Sequence, residues 1–87
     1  MQPTPTPTTR DELRGQCRKI IVETSGFDPT ILTVKTRVAE LGFDGVGVIE
    51  LVMAIEDAFD LEIPESDIRR LATLQDIIDY VAERLEI

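Results

Sequence analysis

Three stretches of the chain place apolar residues at helical spacing. Leu13, Cys17, Ile20 and Ile21, with Thr24, recur at intervals of three and four, the period of one helix face. Val48, Leu51, Val52, Ile55 and Phe59 repeat the pattern, and Leu74, Ile77, Ile78, Val81 and Leu85 repeat it again. The boundaries are marked. Thr9 with Glu12 three residues on makes a capping box ahead of the first stretch. Gly26 is a stop after it, where a left-handed residue closes a helix. The second runs from about Gly45 to Phe59, and the connector Asp60-Leu61-Glu62-Ile63-Pro64 follows. Ser66 to Leu71 suits a short third helix with Ile68 and Leu71 turned inward. Thr73 caps a fourth, with Asp76 at its N3 position. The pattern predicts an all-α bundle of three longer helices and one short one.

Between the first two helices the period changes. Leu32, Val34, Thr36 and Val38 alternate with Thr33, Lys35 and Arg37, which reads as a strand. A lone strand among helices would leave its backbone N–H and C=O groups without partners.

At 87 residues the chain has room for one small domain. Residues 1–9 are rich in Pro and Thr, with Pro3, Pro5 and Pro7 removing donors and fixing φ. They predict a disordered tail ahead of a domain at residues 10–87. The net charge of −8 argues against a nucleic-acid binder, which works by neutralising phosphates with Lys and Arg. It equally argues against an anionic membrane surface as partner. The complement of such a surface is a basic patch on another protein. The single cysteine, Cys17, has no internal disulfide partner and fits a reducing cytoplasm. It falls on the inner helix face and reads as a small buried hydrophobe. The absence of histidine removes His-based triads and metal sites. No apolar run has the length of a membrane span, and no signal peptide is visible.

The second helix has chemistry on its other face. Asp44 suits its N-cap, and Gly45 and Gly47 loosen the first turn. Val46, Glu50, Met53 and Asp57 form an outward stripe of apolar side chains between carboxylates, extended by Glu56, Asp60 and Glu62. This suits a partner that presents Lys or Arg around an apolar dimple. Gly45-Val46-Gly47 is no P-loop, since the further glycine and the lysine are missing. An EF-hand loop starting at Asp44 would need oxygen ligands where Val46 and Val48 stand. Nor does a bundle this small have the cleft that paired hydrolytic carboxylates require.

Leu41-Gly42-Phe43-Asp44, then Glu50-Leu51-Val52-Met53-Ala54-Ile55-Glu56-Asp57-Ala58-Phe59, with Glu62-Ile63-Pro64 and Ile77-Ile78-Asp79-Tyr80-Val81 further on, resemble the acyl carrier proteins of the fatty-acid and polyketide type. The peptidyl carriers, with a glycine-rich motif and a less acidic second helix, fit less well. The resemblance implies a carrier and not an enzyme, with a long loop between helices one and two. That loop would turn Ile31, Leu32, Val34, Val38 and Leu41 inward, and Arg37 stands where the family usually has an apolar residue. The resemblance also implies that Val46, Glu50, Met53, Glu56 and Asp57 dock acyl-chain-processing enzymes and a phosphopantetheinyl transferase. The expected state is a cytoplasmic monomer. Gly45 departs from the family: it occupies the position of the serine that bears 4′-phosphopantetheine, flanked by Asp44 and Val46. Glycine has no hydroxyl for the phosphodiester, so no cofactor is expected as the chain stands. Two readings follow: a carrier locked in its unmodified form, or a serine-less relative that serves as a protein-interaction or regulatory module.

Overall fold

The computed structural model describes residues 6–42 and 45–87, apart from the side chains of Gly45 and Val46. Among the described residues the chain forms α1 (Arg10–Ser25), a one-turn 3-10 helix (Val38–Leu41), α2 (Gly45–Phe59), α3 (Glu65–Ile68) and α4 (Leu74–Leu85). The helix ends follow the capping chemistry read from the sequence. Thr9 Oγ1 accepts from the Glu12 N–H at 3.2 Å, while the Glu12 carboxylate takes the Thr8 hydroxyl at 3.0 Å. Gly26 closes α1 at φ 73°, donating its N–H to the Val22 carbonyl. At α4 the capping box is complete: Asp76 N–H donates to Thr73 Oγ1, and Thr73 N–H donates to Asp76 Oδ2, both at 3.1 Å.

α1 packs against both α2 and α4. Leu13, Cys17 and Ile21 from α1 meet Leu51, Val52, Ile55 and Phe59 from α2 and Leu74, Ile77, Ile78 and Val81 from α4 in one aliphatic core. Ile20, Val48 and Leu85 are half-buried at its margin. Tyr80 and Ala82 are also buried, which widens the inner face of α4 beyond the expected stripe.

The alternation at residues 32–38 is realised without a sheet. Leu32, Thr36 and Val38 are buried, and Thr33, Lys35 and Arg37 are exposed. The backbone finds its partners on the segment that starts α4. Arg37 and Thr73 form an isolated antiparallel bridge. Val38 N–H donates to the Ala72 carbonyl at 2.8 Å, Leu74 N–H to Thr36 at 3.0 Å and Gln75 N–H to Val34 at 2.8 Å. The long loop is therefore laced to α4. Arg37 is exposed.

Two expectations need correction. Ile31 is not inward; it is 61% exposed. Thr30 N–H and its hydroxyl both bond Asp28 Oδ1, at 2.9 and 2.8 Å, and this local Asx turn rotates the next residue outward. The third helix spans Glu65–Ile68 rather than Ser66 to Leu71. Beyond Ile68 the bonds tighten to i→i+3, with Arg70 N–H on Asp67 and Leu71 N–H on Ile68. Within the expected tail, Pro7 is buried and the Thr8 hydroxyl bonds Glu12. The earlier part of the expected tail, residues 1–5, lies outside the described residues.

One side chain ties the loop to α1. The Arg18 guanidinium donates to the Leu32 carbonyl at 2.7 Å and the Pro29 carbonyl at 3.0 Å. Hydrogen bonds from charged donors contribute more than neutral ones. Arg18→Met keeps the aliphatic stem and removes both bonds. We expect it to lower stability by about 1–2 kcal/mol, read as a lower urea midpoint with an unchanged m-value.

Candidate functional site

The site is built around the start and outer face of α2. The 3-10 turn delivers the chain to this point: Val38 and Leu41 are buried and fix it on the core, and Gly42 turns it at φ 78°. A residue with a Cβ is strained in that left-handed region. α2 begins at Gly45, and the positive end of a helix dipole favours negative charge there. Phe43 and Asp44 lie outside the described residues, and with them the expected cap at Asp44. The side chain of Val46 also lies outside them.

Further along α2 the outer face is fully visible. Glu50, Met53 and Asp57 are exposed, as the stripe requires, and Met53 is 56% accessible. Ile49, which the stripe omitted, is 57% accessible and stands one turn before Met53. Its signal was present in the sequence, since residues four apart share a face. Two large apolar side chains and two carboxylates thus form one continuous outward surface. α2 contains no Lys or Arg, and among the described residues no cation lies within ion-pair distance of Glu50 or Asp57.

Glu56 behaves differently. It is half-buried, and its carboxylate accepts the Ile63 N–H at 2.9 Å. It therefore fixes the connector after α2, where Asp60 reverses the chain at φ 52° and Leu61 N–H returns to the Glu56 carbonyl. Asp60 and Glu62 stand exposed beside it and continue the acidic surface.

Cys17 lies in the core with burial pushing its thiol up to about 12. A thiol held so far from ionisation is no nucleophile. Among the described residues no group of three or more His, Cys, Asp or Glu side chains could hold a metal ion. No helix among them is long and apolar enough to cross a membrane.

Comparison with known proteins converges on one family. Residues 17–81 match the family described as "Phosphopantetheine attachment site". An acyl carrier protein of Syntrophobacter fumaroxidans is 46% identical over 65 residues, covering 74% of this chain and 80% of its own. One from Bdellovibrio bacteriovorus is 41% identical over 73 residues, covering 83% and 94%. The crystal structure of an acyl carrier protein from Thermotoga maritima superposes with a TM-score of 0.73 at 36% identity, covering 88% of this chain and 91% of that one.

The buried thiol has a consequence for stability against pH. In the unfolded chain Cys17 ionises near the ordinary thiol value of about 8.5, whereas in the fold it stays protonated to about 12. The native state then holds the proton that the unfolded state releases, so stability is intact below pH 8.5 and falls above it. Between pH 8 and 10 the chain should lose about 2 kcal/mol more than Cys17→Ala does, measured by urea unfolding at both pH values.

Proposed function

We infer the function of this chain from the family it belongs to: it is a member of the acyl carrier proteins, which share a phosphopantetheine-attachment domain and are carriers rather than enzymes. Members of the family work with biosynthetic enzymes, and the finer reading concerns two places in this chain.

The first is Gly45, the opening residue of α2. We propose that it occupies the position at which the family's serine bears 4′-phosphopantetheine, with Asp44 and Val46 as its flanks. The residue present does not fit the group. A phosphodiester needs a side-chain oxygen, and glycine has none. The chain as it stands is a carrier held in its unmodified form, with the helix that follows the missing hydroxyl retained.

The second is the outer face of α2, and it is the observation on which this reading rests. Ile49 and Met53 expose apolar surface between Glu50 and Asp57, which carry no internal counter-ion among the described residues. Exposed apolar anchors inside a charged rim suit docking on a complementary surface. We assign this face, with Val46 at its upper end and Glu56 bracing its lower end, to basic patches on acyl-chain-processing enzymes and on a phosphopantetheinyl transferase. We place the protein in the cytoplasm as a monomer, where its single cysteine stays reduced.

Intact mass after incubation with a broad-specificity phosphopantetheinyl transferase and coenzyme A tests the first assignment. The unchanged chain should gain nothing, and Gly45→Ser should gain one phosphopantetheine. A gain on the unchanged chain would place the attachment elsewhere. If a folded Gly45→Ser also stays unmodified, the fold serves protein interaction or regulation instead.

The docking face is tested with Glu50→Lys/Asp57→Lys. Reversing two rim charges should weaken binding of the Gly45→Ser carrier to that transferase by about tenfold, or about 1.4 kcal/mol, and flatten the salt dependence. Unchanged affinity and salt dependence would remove the face from recognition.

A further inference from the structure

Residues 64–71 lie between two pinned ends. At one end Ile63 N–H is held by Glu56 Oε2 at 2.9 Å. At the other, Ala72 N–H and Thr73 N–H both donate to Asp76 Oδ2, and the Ala72 carbonyl accepts from Val38. Within the segment α3 has only four residues and none of them is fully buried. A helix this short does not sustain itself, because one turn fixes several dihedrals for a single hydrogen bond. Its backbone bonds from Asp67, Arg70 and Leu71 all close on the segment itself.

Among the described residues, the side-chain hydrogen bonds that leave this segment all start from Asp67. Its Oδ2 accepts the Tyr80 hydroxyl at 2.7 Å and the Arg84 guanidinium at 3.2 Å. Arg84 also donates to the Tyr80 oxygen at 2.7 Å and stacks over the Tyr80 ring at 5.0 Å from its centroid. The ring of Tyr80 is buried, and burial together with the bond to Asp67 keeps its hydroxyl protonated above the usual tyrosine range. Ile68 and Leu71 add apolar contact with the core, which has no directional preference. The three polar groups supply the direction.

We propose that Asp67, Tyr80 and Arg84 form a latch holding α3 against α4, and that residues 64–71 open as a unit when it releases. Opening swings on Ile63 and Ala72, which stay pinned. It bares the core edge at Ile63 and Leu71 while α1, α2 and α4 remain packed.

Native-state hydrogen exchange on the full chain, followed amide by amide in low urea, tests this. In the unchanged chain the Arg70 and Leu71 amides should exchange faster than that of Val81, with a weaker urea dependence. Tyr80→Phe keeps the ring and removes one bond of the latch, so it should speed exchange at Arg70 and Leu71 by about tenfold. Ile77→Val weakens the core beneath and should speed exchange at Val81 without moving Arg70 or Leu71. If Arg70 and Leu71 share the rate and urea dependence of Val81, or follow it in Ile77→Val, the segment opens only with the whole molecule and the proposal fails. Unchanged exchange at Arg70 and Leu71 in Tyr80→Phe would equally remove the latch.

Discussion

The backbone of a long connection has to be satisfied somewhere, and here the start of α4 satisfies it. Val34, Thr36 and Val38 exchange three hydrogen bonds with Ala72, Leu74 and Gln75 around the Arg37–Thr73 bridge. Two segments far apart in sequence are thereby locked edge to edge. The lock sets the position of the 3-10 turn, and the turn seats Leu41 in the core and ends at Gly42. The turn that ends at Gly42 is thus placed by a contact made with the start of α4. Arg18 reinforces it from α1, gripping the carbonyls of Pro29 and Leu32 so that the loop is held along both borders.

Much of this was legible in the residues. Helical spacing predicted the buried faces of α1, α2 and α4, and Thr9, Gly26 and Thr73 cap as their chemistry dictates. The loop was harder because its alternation was real but its partner was remote. Nothing near residues 32–38 shows that the capped start of α4 would offer free backbone groups. Ile31 misled for the opposite reason. Apolar character pointed it inward, and a turn made by Asp28 and Thr30 turned it out. In such a short stretch the local hydrogen bonds outweigh the burial of one side chain.

The outer face of α2 divides along the same line between pattern and context. Glu50, Met53 and Asp57 stand where the helical period puts them, and Ile49 joins them by the same rule. Glu56 lies on that helix too, yet its carboxylate serves the backbone of Ile63. A helical wheel gives direction and not occupation. Whether an acid is free for a partner depends on which N–H groups the next loop leaves unpaired, and that follows only from three-dimensional structure.

The position of Cys17 has a bearing on experiments with any loaded form. The one sulfur of the chain that could react as a thiol sits behind Leu13, Ile21 and the facing helices. A sulfhydryl introduced at the surface would be the sole one that a solvent-borne alkylating probe meets while the fold holds. The native protein is therefore a silent background, against which a single added label would be countable without first editing the sequence.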